Sequence, residues 1–261
     1  MATLDFPSES RPLVVAHRGA SATYPENTLE SFAAAIESGA QAVEFDVRMS
    51  ADGVAVVMHD PDVSRSTDGT GLVHELTVAE LKRLDASGGR EDRAEVPTLR
   101  EVLELCSGRI GVDLEIKNIP GEPGFDSPRE AAAEAALRDL EGSGFSGPVL
   151  ISSFNWLSIE RCRELAPGVP TGFLTIGAMD PAEAFAYARG AGHPWVLPHA
   201  AALLPAGAGF VERVHRAGMF VGTWVVDDPD TMTRLFAMDV DAVATNDPAL
   251  GVEVRAAARS G

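Results

Sequence analysis

Short apolar runs rich in β-branched residues alternate with amphipathic helical patterns along almost the whole chain, and this alternation strongly restricts the fold. The runs typical of buried strands lie at residues 12–17, 42–47, 109–117, 148–154, 171–176, 195–199, 220–226 and 241–246. Strands that are buried on both faces and joined by helices form parallel sheets. Eight such units in 261 residues favour an α/β fold of the closed (β/α)8 TIM-barrel type. An open doubly wound sheet is the alternative.

Helical patterns fill the connections between these strands, at residues 27–39, 98–106, 128–142, 156–166, 180–189, 206–217 and 229–238. In the first helix, Asn27 is the predicted N-cap and Gly39 the predicted stop. In the second, Thr98 and Glu101 form a predicted capping box. Cys106 and Cys162 fall on apolar helical positions, which favours buried thiols over a disulfide.

The connection after the second strand is unusually long. It contains a β-like run at 54–60 and the polar stretch "STDGTG" at 66–71 before the next helix begins. A loop of this length in a barrel is usually functional. We therefore expect one domain over residues 1–261, with a small insertion at about 61–95.

The net charge of −18 argues against binding to nucleic acid or to an anionic membrane surface. An anionic substrate must therefore be bound by local cations.

No apolar run is long enough to cross a bilayer, so we expect no stable membrane insertion. Residues 1–10 lack the apolar core of a signal peptide, which predicts a cytoplasmic protein. The patterns indicate no oligomeric state.

Three acids lie at the predicted strand ends. Glu44 and Asp46 are two residues apart and share one face of the second strand, and Glu115 lies on the third barrel strand. Acids that point into one enclosure repel each other unless a cation lies among them. An all-oxygen ligand set suits Ca²⁺ or Mg²⁺ better than zinc. The alternative is that single acids form ion pairs with Arg18 or Lys117.

Two histidines and two cations accompany these acids. His17 ends the first strand and His59 follows the β-like run, so together they can supply acid and base near neutral pH. Arg18 and Lys117 fall inside apolar strand patterns and would supply fixed charge for a phosphate ester. A single histidine near a strand end is more often a hydrogen-bonded structural residue than a catalyst, so the prediction depends on the pair. Of the others, His199 is a candidate to reach the site, whereas surface positions are predicted for His74, His193 and His215.

Several segments resemble the glycerophosphodiester phosphodiesterase family, and they occur in order over nearly the whole chain. These are "AHRGASATYPENT", "EFDVRMSADGVAVVMHD", "STDGTG", "VPTLREVLE", "LEIK", "SSF", "GTWVVDD" and "DAVATNDP". The combination of "HRG", "PENT", E-x-D and "HD" is the most specific part.

The resemblance implies a (β/α)8 barrel that uses a divalent cation, Ca²⁺ or Mg²⁺, to hydrolyse glycerophosphodiesters to sn-glycerol 3-phosphate and an alcohol. It implies that His17 and His59 are the acid/base pair and that the metal ligands are Glu44, Asp46 and Glu115. By the same resemblance Arg18 and Lys117 contact phosphate, and Trp224 forms an apolar wall for the glycerol or its substituent. Residues 61–95 match the insertion that family members carry over the barrel mouth.

This chain departs from the family pattern at two acids. Asp227 stands where many members have Asn, which is expected to alter the alcohol that is accepted, and Asp113 stands where Asn is common. By alternation Asp113 shares the face of Glu115, so it could join the metal ligands.

The nucleophile is either the glycerol 2-hydroxyl or water, and either histidine could be the base. The alternative functions are lysophospholipase D-type hydrolysis of lysophospholipids and a non-catalytic, phosphate-binding barrel.

Overall fold

The computed structural model describes residue 6, residues 11–90 and residues 92–260. Eight parallel strands form a closed barrel, because the first strand pairs with both the second strand and the last. The barrel strands are β1 (Leu13–His17), β2 (Ala42–Met49), β4 (Gly111–Ile116), β5 (Val149–Ser153), β6 (Thr171–Thr175), β7 (Trp195–Pro198), β8 (Phe220–Thr223) and β9 (Ala242–Thr245). The short β3 (Ala55–Val57) runs antiparallel to β2. The predicted TIM barrel is confirmed, and the open sheet is wrong.

Every predicted helical pattern overlaps with a helix of the structure. The helices are α1 (Leu29–Glu37), α2 (Val78–Leu81), α3 (Leu99–Cys106), α4 (Ala131–Ser143), α5 (Trp156–Leu165), α6 (Pro181–Ala191), α7 (Ala200–Ala206), α8 (Ala208–Arg216), α9 (Pro229–Ala237) and α10 (Pro248–Ser260). The capping box of Thr98 and Glu101 is present. Thr28 rather than Asn27 caps α1, because the Thr28 hydroxyl accepts a hydrogen bond from the backbone of Ser31.

Alternation along each strand separates the barrel interior from the layer under the helices. On β1, Leu13, Val15 and His17 face the interior, whereas Ala16 packs into the layer under the helices. The lower interior is lined by apolar side chains, among them Leu150. Polar side chains are therefore concentrated at the carboxyl-end mouth, where strands of this architecture place their functional groups.

The long connection from β3 to α3 has a small apolar core of its own. It comprises Val56, Met58, Val63, Val73, Leu81, Ala86, Ala94 and Val96. Arg65 forms an ion pair with Glu26, and Arg90 donates a hydrogen bond to the carbonyl of Thr23. The connection thus packs against the β1–α1 loop at the mouth. Residue 91 of the predicted insertion lies outside the described residues.

Both cysteines are buried and unpaired, and burial raises the pKa of the Cys106 and Cys162 thiols to about 12. The prediction of free thiols is confirmed. Of the N-terminal stretch considered for a targeting signal, residues 1–5 and 7–10 lie outside the described residues. Within the described part of the chain, no helix has the length and apolar character needed to span a membrane.

Candidate active site

The three predicted acids meet at the mouth because β2 and β4 are neighbours. The strand register places Asp46 beside Glu115, and His17 of β1 beside Glu44. One carboxylate oxygen from each of Glu44, Asp46 and Glu115 lies within 4.8 Å of the others. All three side chains are buried. Strand pairing alone therefore assembles a compact cluster of oxygen atoms.

Two oxygens of this cluster lack hydrogen-bond donors. Among the described residues, nothing donates a hydrogen bond to Glu44 Oε1 or to Asp46 Oδ1, although both atoms are buried. Buried carboxylate oxygens are normally hydrogen-bonded or bound to a cation. The donor set and its unsatisfied oxygens therefore fit a hard divalent cation.

The two predicted cations line the same cluster and form ion pairs with it. Lys117 Nζ lies 2.7 Å from Glu115 Oε1 and 3.6 Å from Asp46 Oδ1. Arg18 Nε lies 3.2 Å from Asp46 Oδ2, and the Arg18 backbone N–H donates to Glu44 Oε2 at 2.9 Å. The ion pairs considered as an alternative are thus present beside the oxygen cluster. The two positive charges of Arg18 and Lys117 do not neutralise the negative charges of the three buried acids and the neighbouring Asp113.

The pKa values of the acids reflect this imbalance. Burial, and after it the charge of Asp46, raises the pKa of Glu44 well above its usual 4.5. Burial also raises the pKa of Glu115, and it raises that of Asp113 to about 7. Burial would raise the pKa of Asp46 too, but Lys117 and Arg18 outweigh it and lower that pKa to about 2. Asp46 is thus the anionic centre of the cluster.

His17 enters the mouth from the end of β1, where the backbone turns sharply. Arg18 and Gly19 both have positive φ, and a side chain at Gly19 would collide with Ser31. His17 Nε2 lies 4.0 Å from Glu44 Oε2, and Nδ1 lies 2.8 Å from Asn246 Oδ1. Burial, followed by the charge of Arg18, lowers the pKa of His17 from 6.5 to about 4.

His59 reaches the same mouth by a different route. Because β3 runs antiparallel to β2, the chain returns beside Asp46, and Met58 N donates to the Asp46 carbonyl at 2.9 Å. His59 Nδ1 lies 2.5 Å from Asp60 Oδ1, and Arg65 forms an ion pair with Asp60. Burial lowers the pKa of His59, while the negative charge of Asp46 opposes this.

A cavity of about 220 Å³ connects these groups with the apolar barrel interior. His17, His59, Arg18 and Lys117 line it beside Glu44 and Glu115, together with Asp113 and Trp224. Trp224 donates from Nε1 to the Leu197 carbonyl at 3.0 Å and packs edge-on against Phe154, with ring centroids 5.2 Å apart. The ring thus has a fixed position in the cavity wall.

The remaining sequence candidates have other partners. Asp113 accepts a hydrogen bond from Ser152 Oγ at 2.7 Å and does not belong to the compact oxygen cluster. His199 caps α7 and packs edge-on against Trp224 at 4.9 Å, so it contacts the cavity wall from behind. His193 is 1% exposed, so its predicted surface position is wrong. His74 and His215 are half-buried, and His215 Nε2 lies 2.8 Å from Asp241.

Two asparagines at the site were not among the sequence candidates. Asn27 has positive φ, and its Nδ2 donates to Asp46 Oδ2 at 2.8 Å, which explains why it does not cap α1. Asn246 contacts His17 across 229 positions of the chain. Asn27 lies in the motif "PENT" and Asn246 in "TNDP". Membership in these motifs is the only sequence feature that could have indicated them.

Comparison with known families gives a clear result. The model of the glycerophosphoryl diester phosphodiesterase family matches residues 17–250. The glycerophosphodiester phosphodiesterase of Caldanaerobacter subterraneus subsp. tengcongensis is 34% identical over 250 residues, which cover 91% of this chain and 95% of that protein. The chain belongs to the glycerophosphoryl diester phosphodiesterase family.

Solved structures of similar proteins agree with this membership. A phosphodiesterase of Oleispira antarctica, in complex with the product sn-glycerol-3-phosphate, is 29% identical with a TM-score of 0.84, covering 94% of this chain and 97% of that one. A putative glycerophosphoryl diester phosphodiesterase of Silicibacter pomeroyi is also 29% identical, with a TM-score of 0.82 and coverage of 93% and 92%. The predicted family is therefore confirmed.

Proposed function

We propose that this chain hydrolyses glycerophosphodiesters to sn-glycerol 3-phosphate and an alcohol at the carboxyl-end mouth of the barrel. Family membership supports the reaction class, and the product complex of the Oleispira antarctica protein supports the glycerol phosphate product. The observation that carries the proposal is one cavity that holds two imidazoles and two cations around a buried acidic cluster. Groups of these kinds promote phosphodiester hydrolysis by proton transfer and by stabilising negative charge.

The proposed metal ligands are Glu44, Asp46 and Glu115, and the proposed ion is Ca²⁺ or Mg²⁺. Their close spacing and the unsatisfied buried oxygens support this set. When bound by these three carboxylates, a divalent ion would supply positive charge that stabilises the negative charge developing on the phosphate. Carboxylates bind cations in their ionised form, so the raised pKa of Glu44 makes the affinity fall at acid pH.

Arg18 and Lys117 are the proposed phosphate contacts. Both side chains line the cavity, and both now form ion pairs with carboxylates of the cluster. Their N–H groups are charge-assisted donors that suit phosphate oxygens equally well. In a protein with a net charge of −18, these local cations offset the repulsion of an anionic substrate.

His17 and His59 are the proposed acid/base pair. One imidazole accepts the proton of the attacking oxygen, which is the glycerol 2-hydroxyl or water, and the other protonates the departing alcohol. Their shared cavity and proximity to the acids support these roles. We propose that the glycerol or its substituent packs against the ring of Trp224. The hydrogen bond that fixes the position of this ring supports the proposal.

The acid/base roles can be tested by replacing each histidine. His17→Ala and His59→Ala should each lower kcat for glycerophosphocholine by roughly 10²–10⁴-fold, measured by enzyme-coupled detection of sn-glycerol 3-phosphate. His74→Ala, which removes a histidine that does not line this cavity, should keep kcat within about twofold. Near-normal turnover by either of the first two variants would overturn the assignment.

Hydrolysis of lysophospholipids at the same bond is the second candidate. The observation that favours it is the apolar part of the cavity wall, to which Leu150, Phe154, Leu174 and Leu197 contribute. A comparison of kcat/KM on glycerophosphocholine and lysophosphatidylcholine below its micelle concentration distinguishes the two. A higher value for the lysolipid would replace the first proposal by the second.

A further inference from the structure

Behind His17, away from the acids, lies a chain of hydrogen bonds that the proposed reaction has not used. His17 Nδ1 lies 2.8 Å from Asn246 Oδ1. Asn246 Nδ2 donates to Asp227 Oδ2 at 2.7 Å, and the Asn246 backbone N–H donates to Asp227 Oδ1 at 2.8 Å. Thr245 Oγ1 donates to Asp227 Oδ1 at 2.9 Å. Asp227, which follows β8, is thereby fixed to the end of β9.

Asp227 determines which way the Asn246 amide points. A carboxylate only accepts hydrogen bonds, so the NH₂ group of Asn246 must face Asp227 and its oxygen must face His17. The reverse orientation would place the amide oxygen against the Asp227 carboxylate. The Asn246 oxygen also lies 3.0 Å from Ser21 Oγ, a second possible donor.

The amide oxygen in turn determines where the proton of neutral His17 lies. An oxygen that only accepts requires a donor, so Nδ1 carries the hydrogen and Nε2 keeps its lone pair. His17 Nε2 is the nitrogen on the side of Glu44 and the acidic cluster, at 4.0 Å from Glu44 Oε2. The proton-accepting nitrogen therefore faces the cavity.

We propose that Asn246 and Asp227 are positioning residues, which hold His17 in the Nδ1–H tautomer so that Nε2 accepts the proton of the attacking hydroxyl. This rests on the proposed hydrolysis and adds two residues to it. In that step the hydroxyl oxygen forms its bond to phosphorus as its proton moves to Nε2. The bond from phosphorus to the departing alcohol breaks, and the alcohol oxygen takes up a proton from His59 or solvent.

The partners of Asp227 argue against a direct part in choosing the alcohol. Both carboxylate oxygens accept hydrogen bonds from residues 245 and 246, and Asp227 lies outside the 220 Å³ cavity, although it borders a more open recess that His17 and Asn246 also line. Its contacts lead to His17 through Asn246. Asp227 thus acts on proton transfer, and its replacement should change kcat rather than KM.

The test combines kinetics with a direct view of the tautomer in the intact protein. Asn246→Ala and Asp227→Ala should lower kcat for glycerophosphocholine by roughly 10–100-fold while KM stays within about twofold. Long-range ¹H–¹⁵N correlation spectra at one fixed pH, assigned with His17→Gln, should show Nδ1–H in the wild type. They should show a shift towards Nε2–H in both alanine variants.

The matched control is Asp230→Ala, which removes an exposed acid from the first turn of α9. It changes the net charge as Asp227→Ala does, and it should leave kcat and the His17 spectrum unchanged. A wild-type proton on Nε2, or an unchanged spectrum and kcat in Asn246→Ala, would overturn the proposal. Wild-type kcat in Asp227→Ala would overturn the part assigned to Asp227. A wild type inactive on every glycerophosphodiester would refute the proposed function, while the spectra would still test the tautomer.

Discussion

The two candidate histidines differ in the group that holds the Nδ1 side of each ring. His17 faces the neutral amide of Asn246, whereas His59 faces the carboxylate of Asp60. Both contacts leave Nε2 for the cavity, which is the arrangement that general acid–base catalysis requires. At the scale of single residues, the site is therefore defined as much by these supporting side chains as by the imidazoles.

A third histidine gives a prediction about stability. His193 is buried, its Nδ1 lies 2.7 Å from Thr171 Oγ1, and burial, then the charge of Arg163, lowers its pKa to about 4. Because the folded pKa lies below the unfolded value of 6.5, the unfolded chain binds the proton first, and stability falls as the pH drops from 6.5 towards 4.

The matched variant is His193→Gln, which has no ionisable ring. Between pH 7.5 and 4.5 the wild type should lose about 2 kcal/mol more of its free energy of unfolding than this variant does. Urea unfolding at the two pH values measures the difference. Parallel losses in the two proteins would show that His193 is not a buried neutral group.

The ionisable residues of the candidate site could be predicted from the sequence, whereas its two asparagines could not. Glu44, Asp46 and Glu115 are visible because charged residues interrupt apolar strands. Asn27 and Asn246 are polar residues in loops, and their roles depend on contacts with Asp46 and His17 that span 19 and 229 positions. Local spacing contains no information about such contacts.

At the scale of elements, one buried arginine connects two strands with the segment that carries His59 at the mouth. Arg48 of β2 is 6% exposed, and its Nε donates to the His59 carbonyl at 2.7 Å. Its two other nitrogens donate to the Lys117 carbonyl at 3.1 Å and to Glu122 at 2.8 Å. The side chain thus joins β2, the end of β4 and the segment that carries His59.

Replacement of this arginine should affect both stability and turnover. Arg48→Met leaves two carbonyl groups without donors, so it should lower the free energy of unfolding by about 2–4 kcal/mol and also lower kcat. The control Arg100→Met, at an arginine with an exposed side chain, should change that free energy by less than about 1 kcal/mol. Lost stability with wild-type kcat would contradict a role in positioning His59.

The limits of element prediction follow from local geometry. The strands could be predicted because they are short, apolar segments rich in β-branched residues. One helix was predicted at 206–217, but Gly207 has positive φ there and separates α7 from α8. The apolar pattern of α7, "AAALLPA", is short and contains Pro205, which obscures its helical character. α10 was not predicted.

At the scale of the whole molecule, barrel closure creates the site. The first and last strands pair, which brings Asn246 after β9 next to His17 at the end of β1. The number and the type of the predicted elements favour a barrel, because eight strand–helix units suit closure of the parallel sheet. The depth and shape of the cavity could not be predicted, since they depend on how side chains from all the strands pack together.

The central claim is that a divalent cation at the acidic cluster is required for glycerophosphodiester hydrolysis. The most direct measurement is the release of sn-glycerol 3-phosphate from glycerophosphocholine by protein treated with EDTA, before and after addition of Ca²⁺ or Mg²⁺. We expect activity to be lost on chelation and restored by one of the two ions, because Glu44 Oε1 and Asp46 Oδ1 are buried and accept no hydrogen bond from the described residues. Full activity after EDTA treatment would contradict the claim.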